Sequence, residues 1–219
     1  MDDLITQYDE DYFLRGKETG KSLYENYRWL PKLTIPMAKN IIARLGIEVD
    51  MTVLDYGCAC GYTVRALREI GIEAFGVDIS EWAIRNCDPT VREWVVQGSE
   101  IPPGIDWIIA KDVLEHIPDV KSVIDKMMDS SAVGIFVAVP LSLVDGQAYV
   151  IPDYEKDVTH VHRLTLASWV RMFIRHKWSV ECCYRFRGVK DNYHGWMSWV
   201  KSNYDLWQHG NGFIICRRV

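Results

Sequence analysis

The 219-residue sequence lacks any apolar run long enough to cross a bilayer: its longest uncharged apolar stretches, such as 132–144, fall short of the roughly 20 residues a helical span needs. It also lacks the basic and then apolar opening of a secretory signal, beginning instead Met1, Asp2, Asp3. The expectation is therefore a cytoplasmic protein with no membrane partner. Paired CxxC spacings are missing, and six cysteines (Cys58, Cys60, Cys87, Cys182, Cys183, Cys216) are too sparse for a disulfide framework, so reduced thiols are expected. Internal repeats and low-complexity tracts are absent. Hydrophobic residues at 48% and charged residues at 25% exclude disordered, collagen-like and coiled-coil classes and fit one domain with a sizeable core.

Positive charge is in short supply: 25 Lys and Arg against 30 Asp and Glu give −5, which argues against non-specific nucleic-acid binding. The shortage is uneven. Residues 160–219 hold ten Lys/Arg against three Asp/Glu, a balance of +7, leaving 15 against 27, or −12, for the rest.

Short runs rich in Val, Ile and aromatics alternate with helical patterns, as in a parallel sheet with crossover helices. Five strands are expected at 52–56, 74–78, 94–97, 107–110 and 134–139, and two more at 179–186 and 212–218. Helices are expected at 34–45, closed by Gly46, at 62–70, closed by Gly71, from Ser80 and Glu81 onward, at 120–128 and at 166–174. A loop with Pro140, Gly146 and Pro152 runs to about Arg163. Residues 1–46 read as an aromatic, acidic arm and a helix belonging to the same domain as 47–219. Residues 190–208, within an aromatic insertion near 188–210, hold two tyrosines, three tryptophans and a histidine.

The chemistry-bearing signal is VLDYGCACG at 53–61, an apolar strand that ends in Asp55 and runs into Gly57 and Gly61. Glycines permit positive backbone angles and close ligand approach, and open parallel sheets bind ligands at that end of a strand; a plain tight turn is the alternative. In GVDIS, Asp78 ends the next strand, where a carboxylate can accept both hydroxyls of a ribose. The dinucleotide fingerprint GxGxxG does not fit, because its second and third glycines would be Ala59 and Tyr62.

These residues resemble the class I S-adenosylmethionine-dependent methyltransferases, whose first motif reads like LDxGCxxGxxxxxL and stands here as Leu54, Asp55, Gly57, Cys58, Gly61 and Leu67. The similarity continues through GVDIS, DWIIAKDVLEHIPD at 106–119 and DVTHVHRLTLASWVRMF at 157–173. It implies an α/β fold, a seven-stranded, mostly parallel, doubly wound sheet of the Rossmann-like methyltransferase type, with helices on both faces and an N-terminal helical cap. It also implies S-adenosyl-L-methionine as cofactor. Asp55, Gly57 and Gly61 would surround its methionyl part, with Tyr56, Cys58 and Tyr62 in the same turn; Asp78 would hold the ribose and Ile79 lie against adenine. Family members often place an acidic residue where this chain has Gln97, Gly98 and Ser99, so Ser99 stands in for that adenine contact or is a turn residue. Ala59 replaces the family's middle glycine. By the same resemblance Ala110 and Lys111 would close the fourth strand on the cofactor, and Asp112, expected with His160 to be catalytic, would line the space around the transferable methyl.

A sulfonium methyl needs positioning more than covalent help, and a hydroxyl acceptor gains from a general base. His160, at the family's TH position, is the expected base in preference to His162; closing the loop by hydrogen bonding is its plain structural alternative. His116 is placed at the edge of the site. Asp153, Glu155, Asp157 and His160 have metal-ligating side chains, but acidic loops are usually solvated and no metal site is expected. The arm and the 190–208 segment suggest a small acceptor, anionic or sugar-like, with Arg163, Arg185, Arg187 and Lys190 as phosphate partners. The same tryptophans would serve equally as core or dimer interface, so a monomer or a homodimer is expected. An RNA or protein methyltransferase and a non-catalytic cofactor-binding protein are the alternative functions.

Overall fold

The computed structural model describes residues 6–186, 189 and 210–219. Seven strands form one sheet: β1 (Thr52–Tyr56), β2 (Glu73–Asp78), β3 (Val95–Gln97), β4 (Ile105–Lys111), β5 (Ser131–Pro140), β6 (Trp178–Cys183) and β7 (Asn211–Arg218). Their order is β3-β2-β1-β4-β5-β7-β6, parallel throughout except that β7 runs antiparallel between β5 and β6. The chain winds outward from β1 to β3 and then returns to β4, so the order reverses between β1 and β4. That switch point opens a crevice at the carboxyl ends of these two strands.

Neighbouring residues point to opposite faces of a strand, and both faces are covered. Val53, Trp107, Ile109 and Phe136 therefore pack with Ile41, Val64 and Leu67 on one side. Leu54, Ile108, Ile135 and Val137 pack with Ile124, Met127, Trp169 and Phe173 on the other. This two-sided burial is why the strands read as continuous apolar runs.

The helices are α1 (Glu10–Leu14), α2 (Gly16–Thr19), α3 (Pro31–Leu45), α4 (Tyr62–Glu69), α5 (Glu81–Arg85), α6 (Val120–Ser130) and α7 (Leu166–Phe173). Side-chain caps start four of them: Asp9, Ser80, Asp119 and Thr165 accept from the amides of Tyr12, Ala83, Ser122 and Ser168. Helix α3 begins three residues before the expected Thr34, because Pro31 at its first position already has the helical φ and no amide to satisfy. Strand β6 stops at Cys183, short of the expected Phe186. That ring instead turns inward against Phe136 and Phe213, with centroids 5.0 and 5.7 Å away.

The arm ahead of α3 is built on aromatic contacts. Tyr12 and Phe13 are buried with Cys60 and Ala83, and Phe13 stacks on Trp82 at 5.2 Å. No described helix is long and apolar enough to cross a membrane. The aromatic segment 190–208, Arg187 and Lys190 lie outside the described residues.

Candidate functional site

The turn after β1 is shaped by backbone angles. The amides of Gly57 and Cys58 both donate to the Val77 carbonyl, at 2.8 and 3.1 Å, tying the turn to β2. Gly57 has φ +78°, and a Cβ there would lie 2.3 Å from Val113 Cγ2, so only glycine fits. Ala59 also sits in the left-handed region, at φ +48°, where the family's glycine would be unstrained. Its amide donates to Asp78 Oδ2 and the Ser80 amide to Asp78 Oδ1, both at 2.8 Å. Each Asp78 oxygen thus accepts one amide, and a carboxylate oxygen has a second lone pair to offer.

Two cavities open over this turn. The smaller, about 230 Å³, is lined by Tyr56, Gly57, Ala59, Asp78, Ile79 and Ser99 among others; the larger, about 460 Å³, includes Tyr62, Thr63, Lys111, Asp157 and His160. They share Tyr12, Tyr24, Asp112 and His116 as walls. Of the residues expected at the site, Asp55, Cys58, Gly61 and Ala110 line neither cavity. Cys58 faces inward, with Sγ 2.7 Å from where a side chain on Gly76 would begin, and Ala110 is fully buried in the sheet. Gly61 precedes α4 with φ +75°.

Asp55 is 4% exposed at the end of β1. Burial pushes its carboxyl up to about 7, with Lys111 and Thr63 opposing and Asp78 adding to the rise. Burial also raises Asp78, against the two amides that hold it. Lys111 Nζ donates to Asp112 Oδ2 at 2.5 Å, and Asp112 has φ +58° as the chain turns off β4 into the shared wall.

Three histidines are fixed by local bonds. His116 Nδ1 meets Thr159 Oγ1 at 2.7 Å, and Thr159 Oγ1 in turn donates to Asp157 Oδ1 at 2.5 Å. His160 Nδ1 donates to the Tyr154 carbonyl at 2.9 Å, and the His160 and His116 rings lie 4.6 Å apart. Burial, with His160 adding to it, lowers the His116 pKa to about 4, so His116 is neutral near pH 7. His162 Nε2 donates to the Ile117 carbonyl at 2.8 Å and its ring packs on Trp169, a structural role.

The arm closes the cleft from above. Ser80 Oγ donates to the Tyr8 carbonyl at 2.6 Å, Tyr12 Oη to Asp157 Oδ2 at 2.9 Å, and the Val158 amide to the Lys21 carbonyl at 3.3 Å. Tyr8, Tyr12 and Phe13 consequently line the smaller cavity. Sequence reasoning assigned this arm to the acceptor alone.

Of the acidic loop residues, Asp157 reaches His160, its Oδ2 lying 4.0 Å from Nε2, while Asp153 and Glu155 are drawn to cations. Asp153 pairs with Lys156 at 2.6 Å, Glu155 with Arg163 at 2.9 Å, and Asp157 is taken by Tyr12 and Thr159. That ion pair also occupies Arg163, one of the expected phosphate partners, while Arg185 is exposed. Glu115, unremarked in the sequence, is buried at 1% exposure beside His116.

A family model described as a methyltransferase domain matches residues 33–183, well over half of the chain. No curated protein matches it in sequence. Among solved structures, a chain of the complex between the Haloferax volcanii Trm112 methyltransferase activator and a methyltransferase is similar over 84% of this chain and 89% of its own, at 17% identity and TM-score 0.64. The plantazolicin methyltransferase BpumL, solved with SAH, is similar over 86% of this chain and 83% of its own, at 15% identity and TM-score 0.58. A Haemonchus contortus phosphoethanolamine N-methyltransferase, solved with phosphomonomethylethanolamine and S-adenosylhomocysteine, is similar over 82% of this chain and 52% of its own, at 16% identity and TM-score 0.60. Such identities speak to fold, which is the sheet order described above. The family model covers the turns after β1, β2 and β4 that build both cavities, and the chain belongs to the methyltransferase-domain family in its class I, S-adenosylmethionine-dependent form.

Proposed function

We propose that this enzyme methylates a hydroxyl of a small polar, sugar-like acceptor by direct in-line transfer. The observation that carries this reading is the pair of cavities meeting at Asp112 and His116. A nucleoside in the smaller one and an acceptor in the larger would bring methyl and oxygen together at the shared wall.

The residues present fit the cofactor. Gly57 leaves bare backbone on the cavity, Asp78 offers two lone pairs toward ribose hydroxyls, and Ile79 and Ser99 flank the place for adenine. Asp55 lines neither cavity and its carboxyl is raised to about 7, so it would supply negative charge toward the methionyl ammonium once that cation draws its proton away. When bound, S-adenosylmethionine supplies an already activated methyl group, so the protein's task is positioning and exclusion of water.

The larger cavity favours a hydroxylated over an anionic acceptor. Lys17, Arg28 and Lys111 line it, but so do Glu25, Asp112, Glu115, Asp153 and Asp157, together with Tyr12, Tyr24, Tyr27, Tyr62 and Tyr154. Tyrosine faces and carboxylates suit sugar rings and their hydroxyls, whereas among the described residues a phosphate would meet more negative charge than positive. Because His160 Nδ1 donates to a carbonyl, its Nε2 carries the lone pair of the neutral ring and can take the acceptor's proton.

Isothermal titration with S-adenosylmethionine, with S-adenosylhomocysteine and with NAD as control tests the cofactor, and methyl transfer to a panel of sugars and sugar nucleotides tests the acceptor. The first two should bind, and His160→Ala should lower kcat about 100- to 10,000-fold with cofactor affinity unchanged. A folded protein that binds neither would sink the enzyme reading. Full activity of the variant across the pH range would remove His160 as the base.

A further inference from the structure

Glu115, His116 and His160 stand together at the floor of the acceptor cavity, although the histidines are 44 positions apart in sequence. One ligand atom from each lies within 4.8 Å of the other two. All three side chains are buried, at 1%, 11% and 6% exposure. They meet because β4 and β5 are neighbours in the sheet, so the loops that follow them share one edge.

The hydrogen bonds fix the tautomers. Thr159 Oγ1 has one hydrogen and gives it to Asp157, so toward His116 it accepts, and His116 Nδ1 carries the proton. His160 Nδ1 donates to a carbonyl, which can only accept. Each neutral ring is therefore left with its lone pair on Nε2, and His116 Nε2 lies 4.0 Å from Glu115 Oε1. Two imidazole nitrogens and a carboxylate oxygen thus converge out of water, the donor set that a transition-metal cation takes. Asp157, already bonded to Tyr12 and Thr159, orients His116 through the Thr159 hydroxyl, the arrangement by which metal-binding imidazoles are held, and its Oδ2 adds negative charge 4.0 Å from His160 Nε2.

We infer that Glu115, His116 and His160 form a binding site for a divalent transition-metal cation of the zinc or manganese type, open toward the acceptor. Two imidazoles and one carboxylate suit such an ion better than magnesium or calcium, which favour all-oxygen shells. Three protein ligands leave positions for an acceptor oxygen in the cavity that all three line. This deepens the methyltransferase reading and rests on it for the acceptor's identity. The loaded site would bind the hydroxyl oxygen with its proton released to solvent, and His160 would then serve as ligand in place of base. The cation also offsets the excess of carboxylates around the cavity.

The test uses the whole chain, stripped with a chelator and titrated with Zn²⁺, Mn²⁺, Mg²⁺ and Co²⁺ without cofactor, so that it is independent of methyl transfer. One equivalent of Zn²⁺ or Co²⁺ should bind, the cobalt form showing weak visible bands without a strong near-ultraviolet thiolate band. Glu115→Gln and His116→Gln should each weaken binding at least tenfold. Thr159→Val, which keeps all three ligands, should weaken it about 10- to 100-fold. No stoichiometric binding by the folded protein would overturn the site, as would undiminished affinity in a folded ligand variant or a thiolate band placing the ion on cysteine. If the glutamine variants fail to fold, the cobalt spectrum of the unaltered protein and the Thr159→Val affinity decide.

Discussion

Asp55→Asn should make the ligand-free protein more stable, and increasingly so as the pH rises. Burial at 4% exposure holds the Asp55 carboxyl near 7, against an ordinary value of 3.8. The folded chain therefore keeps a proton that the unfolded chain has already lost, so stability declines as pH climbs from about 4 and levels off only above about 7. At about 1.4 kcal/mol per unit, a shift of about three units costs the wild type about 4 kcal/mol above pH 8, of which about 3 kcal/mol falls between pH 5 and 8. Asparagine keeps the shape and an acceptor for Thr63 while removing the ionisation. Urea unfolding of both proteins at several pH values across that window, followed by tryptophan fluorescence, isolates Asp55 because every other titrating group is common to the pair. Parallel stability curves would refute the assignment of a buried, proton-retaining carboxyl. The same substitution should weaken S-adenosylmethionine binding, so stability and function would move in opposite directions.

Gly57→Ala should destabilise the fold by at least about 2 kcal/mol, since its Cβ would run into Val113 at a positive φ, and thermal unfolding would show it. Ala59→Gly should do the reverse, gaining about 0.5 kcal/mol by relieving the left-handed alanine while the amide bond to Asp78 stays; a loss in urea unfolding would contradict the strain. Tyr12→Phe deletes the buried bond to Asp157 and should cost about 1–3 kcal/mol, with faster tryptic cleavage at Lys17 and Lys21 as the local readout. Protection equal to that of wild type would show that the bond does not fasten the arm.

The β1 turn was legible because its geometry has few solutions: a positive φ under Val113 demands glycine, and a strand-ending carboxylate recurs at Asp55 and Asp78. The sheet was equally readable, since Val53 and Leu54, or Trp107 and Ile108, go to opposite faces that are both covered. Contacts made by topology were not. Nothing local joins Glu115 to His160; adjacency of β4 and β5 does. Nor does the arm's sequence say that Phe13 will find Trp82, or that Tyr8 will hand its carbonyl to Ser80, because such pairings depend on the finished surface. The pairings within the acidic loop were hidden for a related reason. Glu155 and Asp157 have metal-ligating side chains, yet Arg163, Tyr12 and Thr159 reach them first.

Tyr12 and Tyr24 belong to both cavities at once, so the arm is a party wall between two rooms. A ligand that firmed it from one side would spare the other part of the ordering cost, and by reciprocity the second guest would strengthen the first by the same factor. Donor and acceptor affinities would thereby be tied through a piece of chain that belongs to neither strand-end turn.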